Sequence, residues 1–476
     1  MTKTAAPVLD SAFVADALGP QLRGRGGTDR TFKRAIIDSR EAQAGDLFVA
    51  LEGERTDGHD HAGAAIEAGA TGCILGRLVD GTEGASRFYV DEPLVALQTL
   101  AAAWRAALPE LQVIGVTGNV GKTTTKLIVA QLLEQKYRVQ VNPLNYNNEI
   151  SVPLCLLELR PETERAVIEH GMYTTGEIEL LCGWTRPRIG IVLNVGPVHL
   201  ERAGSIETIA RAKRELIEAL PADGHALLNI DDPLVAEMAP HTAATVTTFG
   251  SAEDAQVRGH SVESEGAAGF AFTLEIDDAI GGESGGKERR LHVPLPGAHL
   301  LSNVLAAIAT ALVDDVPLDE IAGAVEQLTI PLRLSVSTLG EGITLLDDTY
   351  NANPASMNAA LDLLGEMPGR HVALLGDMRE LGFEEDRAHV AIGERAGAEL
   401  DVLFTVGELG ARIGEAAAAA GLESVHIENQ AQAASVLQER LRPGDAILIK
   451  ASNALHLETV VRDLQAAMGA PAEEQT

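Results

Sequence analysis

Short hydrophobic runs alternate with helical patterns along the chain. In the first part, the strand-like runs GDLFVAL and SRFYV flank the helical stretch HAGAAIEAGA, and an Ala-rich helix is expected over 92–108. A second series contains QVIGVTG, ERAVIEHG, RIGIVLNVG and GHALLNI, and a third begins near 331 with ITLLDDT, HVALLGDM, DVLFTVG, SVHIE and DAILIKAS. Strands that alternate with helices are typical of parallel sheets with crossover connections. The pattern therefore predicts an α/β protein.

Each series is expected to form its own domain, because 476 residues exceed what one hydrophobic core usually serves. Pro109 follows the Ala-rich helix and supports a boundary there. We expect a small N-terminal α/β domain over 1–108, a central domain with a parallel sheet over 109–330, and a C-terminal Rossmann-like, doubly wound domain over 331–476.

The chain is strongly acidic. It has 69 Asp and Glu residues against 37 Lys and Arg residues, and its formal net charge is −32. Such a charge repels nucleic acid and anionic membrane surfaces. The sequence also lacks a signal-peptide pattern and any apolar run of about 18 residues. We therefore expect a cytoplasmic monomer with no nucleic-acid partner and no membrane span.

The stretch GVTGNVGKT, from Gly115 to Thr123, is typical of a phosphate-binding loop between a strand and a helix. Backbone N–H groups of such a loop bind phosphate oxygens, the lysine adds a positive charge, and the hydroxyl can join a Mg²⁺ shell. The loop predicts binding of a nucleoside triphosphate, and the absence of an Asn-Lys-x-Asp guanine motif disfavours GTPase switches. The nucleotide-binding candidates are Thr117, Gly118, Asn119, Val120, Gly121, Lys122 and Thr123.

Three further residues are candidates for a site beside this loop. Glu169 ends the strand of AVIEHG and His199 follows IGIVLNV, although polar residues at strand ends are also common without a ligand. Lys213 lies near the middle of an otherwise apolar helix face. That face consists of Ile206, Ile209, Ala210, Leu216, Ile217 and Leu220. Lys213 either extends its ammonium group to water or points into a site, and a bare ammonium cannot bind Mg²⁺.

Taken together, TGNVGKTTT, NYNNEISVPL, NVGPVHLE, GSIETIARAK, GAHLLSNVLAA and DDTYNANPASM resemble the Mur ligase family. The resemblance extends from about Ala35 to Glu458 and includes IIDSR and GDLFVALEGERTDGHD. It implies an N-terminal UDP-sugar domain, a central P-loop ATPase and a C-terminal domain that receives the amine. DDTYNANP and GDMRELG favour the family branch that joins D-alanyl-D-alanine to UDP-N-acetylmuramoyl-tripeptide through an acyl phosphate, in peptidoglycan precursor synthesis.

The resemblance also implies the cofactors and the roles of individual residues. ATP and two Mg²⁺ ions are expected, and Lys213 is expected to be carbamylated by CO₂. His199 would share one Mg²⁺ with modified Lys213, and Thr123 and Glu169 would hold the other, so that Lys122, Lys213 and His199 are the catalytic candidates. Candidates for contacts with adenosine are Asn303, Arg333 and Asp348. The substrate-binding candidates are Asp38, Ser39, Arg40, Asn147, Asn148, Tyr350, Asn351 and Asn353.

The chain departs from the family pattern at a few positions. KASNALH over 450–456 stands where the family usually has KGSR, Leu332 replaces a glycine before Arg333, and Ser151 replaces a glycine after NNEI. Two alternatives to the predicted activity therefore stay open. One is a related amide ligase with a different acceptor, such as a folylpolyglutamate-synthase-like enzyme. The other is a non-ligating protein that keeps its nucleotide only to bind a partner.

Overall fold

Each of the three series of hydrophobic runs forms a separate β-sheet. The computed structural model describes residues 6–53, 56–143, 145–196, 204–281, 288–331 and 334–469. Its sheets contain five, nine and six strands in chain order. The predicted three-domain α/β fold is confirmed, whereas the predicted boundaries at 108/109 and 330/331 stay predictions.

The N-terminal sheet has the strand order β1-β5-β4-β3-β2, with β1 antiparallel to β5 and the other pairs parallel. Its strands are β1 (Leu22–Gly26), β2 (Arg34–Ile36), β3 (Asp46–Val49), β4 (Gly72–Leu75) and β5 (Ser86–Val90). Its helices are α1 (Ser11–Leu18), α2 (Ala62–Ala68) and α3 (Pro93–Ala106). The sequence did not predict β1, because its residues LRGRG contain no hydrophobic run and none of them is buried.

The central sheet has the order β14-β13-β12-β11-β10-β9-β6-β8-β7. Its strands are β6 (Gln112–Thr117), β7 (Val139–Val141), β8 (Arg165–Glu169), β9 (Ile189–Val192), β10 (His225–Asn229), β11 (Thr245–Gly250), β12 (Val257–Ser264), β13 (Phe270–Ile276) and β14 (Arg289–Val293). Its helices are α4 (Lys122–Leu133), α5 (Ser151–Glu158), α6 (Glu177–Thr185), α7 (Ile206–Glu218), α8 (Pro233–Ala236), α9 (Asp278–Gly281), α10 (Leu301–Val313) and α11 (Leu318–Val325).

The central sheet is parallel, as predicted, except at one edge. From β7 to β12 neighbouring strands are parallel, but β12, β13 and β14 pair antiparallel. Antiparallel neighbours need no crossover helix, so this edge lacks the strand-helix alternation on which the prediction depended.

The C-terminal sheet has the order β15-β16-β20-β17-β18-β19, and every pair except β15–β16 is parallel. Its strands are β15 (Ser335–Thr338), β16 (Thr344–Asp348), β17 (His371–Leu375), β18 (Val402–Val406), β19 (Ser424–Ile427) and β20 (Ala446–Lys450). Its helices are α12 (Pro354–Gly365), α13 (Glu385–Glu399), α14 (Gly410–Ala419), α15 (Ala433–Arg440) and α16 (Glu458–Met468).

Successive residues of these strands pack on opposite faces of the C-terminal sheet. Leu346, Leu375 and Leu448 belong to a core with α12, α13 and α14. Their sequence neighbours Leu345, Leu374, Ile447 and Ile449 belong to a second core with α15 and α16. Because side chains alternate along a strand, the continuous hydrophobic runs bury both faces, as expected for a doubly wound sheet.

Helix α3 connects the core of the N-terminal domain with the central domain. One cluster of buried residues includes Leu97 and Leu100 of α3 together with Val152 and Leu156 of α5. The indole Nε1 of Trp104 donates a hydrogen bond to the carbonyl of Leu159 at 2.9 Å. The two domains therefore share one hydrophobic core. No helix in the described part of the chain is both long and apolar enough to cross a membrane.

A buried ion pair connects β8 with the end of α10. The guanidinium of Arg165 donates from Nη2 to Oδ1 of Asp314 at 2.8 Å, and the two side chains are only 9% and 7% exposed. The same guanidinium lies 3.7 Å from the ring centroid of Tyr137. Removing one partner of such a pair leaves a buried charge without compensation.

We expect Asp314→Asn to lower the free energy of unfolding of the central domain by about 3 kcal/mol. The matched control is Asp319→Asn, whose carboxylate is 94% exposed and pairs with Arg289. Loss of that exposed pair is expected to change stability by less than about 1 kcal/mol. Urea unfolding followed by circular dichroism measures both variants, and equal losses would contradict the assignment.

Candidate active site

The phosphate-binding loop lies between β6 and α4. Gly121 precedes α4 with a φ of +86°, and a Cβ atom there would lie 2.3 Å from Nδ2 of Asn303. Only glycine therefore fits this position without strain. Gly115, which the sequence placed first in the motif, instead lies inside β6, where an added Cβ would lie 2.7 Å from Leu216. The glycines of the loop itself are Gly118 and Gly121.

Asn194, directly after β9, fixes the shape of the loop. Its Oδ1 accepts hydrogen bonds from the backbone N–H groups of Asn119 and Val120, both at 2.9 Å, and its Nδ2 donates to the carbonyl of Val120 at 3.0 Å. Lys122 Nζ donates to the carbonyl of Gly118 at 2.8 Å. The first N–H groups of α4 have no acceptor within the helix, so they are suited to bind phosphate oxygens.

Glu169 lies beside this loop at the end of β8 and is buried. Its Oε2 accepts a hydrogen bond from the Thr123 hydroxyl at 2.9 Å, and its Oε1 accepts one from Nδ2 of Asn147 at 2.8 Å. Its backbone N–H donates to Oδ1 of Asn142 at 3.1 Å. The carboxylate is thus held in one orientation by neutral donors.

Lys213 is buried on α7, with 3% of its surface exposed. Ile209, Leu216 and Ile217 of the same helix are buried with it, whereas Arg211 and Glu218 are exposed, as the helical period predicted. A lysine that extends to bulk water would not be buried, so that alternative is excluded. Burial lowers the pKa of Lys213 well below its usual value, the charge of Lys122 lowers it further, and Glu169 opposes both.

A cavity of about 240 Å³ joins these groups. It is lined by Gly118, Asn119, Lys122, Asn147, Asn148, Glu149, Gly171, Met172, Tyr173, Glu177, Leu180, Leu181 and Lys213. The cavity therefore combines one loop glycine, two lysines and three asparagine side chains in one space, next to the Thr123–Glu169 pair. The candidates His199 and Arg333 lie outside the described residues.

Hydrogen bonds to other parts of the protein hold three further site candidates, Asn303, Thr117 and Asn148. Asn303 Nδ2 donates to the carbonyl of Gly121 at 3.2 Å and to the hydroxyl of Thr125 at 2.8 Å, so it supports the loop from α10. Thr117 Oγ1 donates to the carbonyl of His170 at 3.0 Å. Oδ1 of Asn148 accepts hydrogen bonds from the backbone N–H and the hydroxyl of Ser151. The glycine that the family usually has at position 151 could not make the second of these bonds.

The candidates in the C-terminal domain form a separate cluster. Asp348 at the end of β16 forms a short ion pair with Lys450 at the end of β20, and the buried Lys450 also donates to the carbonyl of Asn351 at 2.8 Å. Asn353 is the N-cap of α12, because its Oδ1 accepts from the N–H of Ser356 at 2.9 Å. The side chain of Tyr350 is 38% exposed.

The candidates in the N-terminal domain lie in a short turn after β2. Oδ1 of Asp38 accepts from the backbone N–H of Arg40 at 2.9 Å, and its carboxylate pairs with the Arg40 guanidinium. These hydrogen bonds lower the pKa of Asp38 to about 2. Ser39 begins the turn, and the Arg40 side chain is 87% exposed. A role of these residues in binding substrate stays a prediction.

Three stretches of the chain match known families. Residues 33–105 match the Mur ligase family catalytic domain, 116–311 the Mur ligase middle domain, and 333–453 the Mur ligase glutamate ligase domain. The chain belongs to the Mur ligase family. The resemblance in its sequence motifs is thereby confirmed.

Individual Mur ligases are similar over almost the full length. The chain is 38% identical over 444 residues to a UDP-N-acetylmuramoyl-tripeptide–D-alanyl-D-alanine ligase from Synechocystis, covering 92% of this chain and 93% of that one. A crystal structure of MurF from Acinetobacter baumannii matches with a TM-score of 0.84 at 29% identity, covering 97% and 100% of the two chains. The MurF ligase from Thermotoga maritima in complex with ADP matches with a TM-score of 0.78 at 28% identity, covering 92% and 98%.

Sequence reasoning missed several residues that hold this Mur ligase site together. Asn194 lies in the recognised stretch NVGPVHLE at the carboxyl end of a strand, a position that could have marked it. Asn142 follows β7, a short strand that the pattern did not predict. Buried Lys126 supports Asn142 by donating from Nζ to its carbonyl at 2.6 Å.

Burial lowers the pKa of His170, next to Glu169, to about 4, so this imidazole is neutral near pH 7.

We expect Gly121→Ala in this Mur ligase to weaken ADP binding at least about tenfold. The added Cβ both meets Asn303 and requires a left-handed backbone that alanine disfavours. The matched control is Gly323→Ala in α11, where an added Cβ has no neighbour within 4 Å and alanine favours the helix. Isothermal titration calorimetry with ADP compares them, and unchanged affinity in Gly121→Ala would contradict the role of the loop.

Proposed function

We propose that this Mur ligase uses ATP to join D-alanyl-D-alanine to UDP-N-acetylmuramoyl-tripeptide in the synthesis of peptidoglycan precursors. The observation that carries the proposal is the single cavity that unites the loop residue Lys122 with Lys213, beside the Thr123–Glu169 pair. The relative from Synechocystis bears the name of this activity, and the Thermotoga maritima relative binds ADP.

The first step transfers the γ-phosphoryl group of ATP to the terminal carboxylate of the tripeptide. The O–P bond to ADP breaks and a new O–P bond forms, which gives an acyl phosphate with a good leaving group. Both reactants are anions, so the site must reduce their repulsion. Lys122 and the N-terminus of α4 provide positive charge where the phosphates would lie.

The second step forms the amide. The free amine of D-alanyl-D-alanine attacks the acyl carbon, phosphate leaves with the bonding electrons, and the amine loses its proton. Water has to be excluded meanwhile, because it would hydrolyse the acyl phosphate. We place this amine at the side of the C-terminal domain, near the predicted substrate-binding residues Tyr350, Asn351 and Asn353, where Lys450 donates to the carbonyl of Asn351.

The donor atoms of the site fit divalent magnesium. The Thr123 hydroxyl and Oε2 of Glu169 are 2.9 Å apart, and Mg²⁺ prefers such oxygen ligands together with phosphate oxygens. Thr123 and Glu169 would hold one ion, and Lys213 with His199 would hold a second. When bound, the ions would neutralise negative charge on the phosphoryl group during transfer.

Lys213 can provide an oxygen ligand only after modification. Its neutral amine would attack CO₂, forming an N–C bond and releasing a proton, which leaves a carbamate with two oxygens. Burial beside Lys122 favours the neutral amine that this reaction requires. The location in the cytoplasm and the monomeric state stay predictions from the sequence.

The two alternatives are less well supported. A non-ligating nucleotide-binding partner would have no need for both Lys122 and Lys213 in the same cavity. A different acceptor would be bound on the C-terminal domain, where Lys450 of the unusual KASNALH stretch forms an ion pair with Asp348. The similarity to D-alanyl-D-alanine ligases also extends over 92% of the chain.

The proposal is tested with purified protein, ATP, Mg²⁺, UDP-N-acetylmuramoyl-tripeptide and D-alanyl-D-alanine. We expect release of ADP and formation of the ligated pentapeptide, detected by mass spectrometry, only when all components are present. Release of ADP that ignores the dipeptide but responds to another amine would assign a different acceptor.

We expect Lys213→Ala to lower kcat at least about 100-fold, the scale of losing a group that stabilises charge in the transition state. Short carboxylic acids such as formate or propionate should partly restore the rate, because they can replace the lost carbamate oxygens. Arg211→Ala, on the exposed side of the same helix, is the control and should retain full activity. Full activity of Lys213→Ala would disprove the proposed role of this lysine.

A further inference from the structure

A histidine and two glutamates lie together at the antiparallel edge of the central sheet. His260 is in β12, Glu275 is in β13, and Glu288 directly precedes β14. Nε2 of His260 lies 4.0 Å from Oε2 of Glu275 and 3.7 Å from Oε1 of Glu288. Three strands separate β12 from β6 and the phosphate-binding loop, so this group does not belong to the candidate active site.

One ring nitrogen of His260 is left without a partner. Nδ1 forms a hydrogen bond with Oγ of Ser261 at 3.1 Å. Nε2 is buried and has no hydrogen-bond partner among the described residues, because both carboxylates are too far away for a hydrogen bond. A buried polar atom without a partner costs free energy. Its position between two carboxylates therefore requires an explanation.

The two carboxylates also oppose each other. Leu274 of β13 pairs with Arg289 of β14, so the next residues along, Glu275 and Glu288, occupy opposed positions on the two strands. Like charges directly opposite each other destabilise a sheet. Nη1 of Arg258 compensates Glu275 by donating to its Oε2 at 3.2 Å. No described lysine or arginine pairs with Glu288, so one negative charge remains in the group.

The separations between these atoms fit ligands of one metal ion. Two ligands that each lie about 2.1 Å from a common Zn²⁺ ion are at most about 4.2 Å apart. Both distances from Nε2 of His260 fall within this limit, and the three ligand atoms lie within 4.8 Å of one another. Glu275 and Glu288 are 42% and 67% exposed, so their carboxylates have room to turn towards an ion.

A second group of three such side chains in the described part of the chain differs in one respect. Glu52, Asp57 and His59 of the N-terminal domain also lie close together. Both ring nitrogens of His59 are occupied there, however. Nδ1 pairs with Oδ1 of Asp57 at 2.6 Å, and Nε2 accepts from the N–H of Gly76 at 2.7 Å. The group at the edge of the central sheet is the one whose imidazole keeps a nitrogen available for an ion.

We propose that His260, Glu275 and Glu288 bind one divalent transition-metal ion of the Zn²⁺ type. Imidazole and carboxylate ligands suit this class of ion, whereas Mg²⁺ prefers oxygen ligands alone. The hydrogen bond between Nδ1 and Ser261 fixes the orientation of the ring, as is usual for a histidine that binds a metal. The ion joins β12 to the start of β14 across β13. Its role is to hold this edge of the sheet together, and it takes no part in ligation.

Calorimetric titration with ZnCl₂ tests the proposal. The protein is used without an affinity tag, is treated with a chelator and dialysed, and is kept in excess Mg²⁺ and ADP, which occupy the nucleotide site. We expect the wild type to bind one Zn²⁺ ion that His260→Ala binds at least about 100-fold more weakly. Glu288→Gln keeps an oxygen ligand but loses its charge, so it should weaken binding about tenfold.

The matched control is His292→Ala in β14. Nε2 of His292 lies 3.2 Å from Oε2 of Glu265, so this histidine pairs with one carboxylate on the same antiparallel edge. This variant should bind Zn²⁺ as the wild type does. Saturating Zn²⁺ should raise the Tm of the wild type and of His292→Ala by at least about 3 °C and leave the Tm of His260→Ala unchanged.

Equal Zn²⁺ affinity in the wild type and both site variants would overturn the proposed site, and so would an equal loss of affinity in His292→Ala. Tighter binding of Mg²⁺ than of Zn²⁺ at this edge would overturn the class of metal. The ADP affinity of each variant verifies its fold. Because Glu288 is 67% exposed, Glu288→Gln still decides the question if His260→Ala does not fold. None of these outcomes depends on the ligase activity.

Discussion

The site depends on a buried carboxylate whose two oxygens are held by neutral donors. Glu169 accepts from the Thr123 hydroxyl and the Asn147 amide, while its own backbone N–H is fixed by Asn142. A buried negative charge is expensive unless it is hydrogen-bonded and compensated by positive charge nearby. Lys122, which lines the same cavity, provides that charge. This balance allows a protein of net charge −32 to bring two further anions together.

Rigid elements hold each part of this arrangement. Thr123 is in the first turn of α4, Glu169 ends β8, and Lys213 lies on α7, so their positions follow from the packing of the central sheet. The loop is fixed on two sides, by Asn194 after β9 and by Asn303 on α10. Preorganised groups of this kind stabilise developing charge without having to reorient during the reaction.

The sequence predicted the elements that have a strong hydrophobic period. The buried strands of the central and C-terminal sheets and the apolar face of α7 were predicted correctly, because continuous hydrophobic runs and the 3.6-residue repeat can be recognised in the sequence itself. It missed β1, β7 and β15, whose strands are short and incompletely buried, and the antiparallel edge from β12 to β14. Asn142 acts through contacts between distant segments, which no local pattern reveals, whereas the position of Asn194 at the end of a strand could have marked it. Asn353, predicted to bind substrate, serves in this structure as a helix cap.

The core shared by α3 and α5 has a consequence for how members of this family can be recombined. Trp104 and its leucine neighbours on α3 fill space against residues that belong to the central domain. Close packing leaves little tolerance for side chains of a different volume at such a surface. A chimaera that takes about its first hundred residues from another ligase would therefore also need that ligase's α5 residues that pack against α3. The first domain is thus not an interchangeable module.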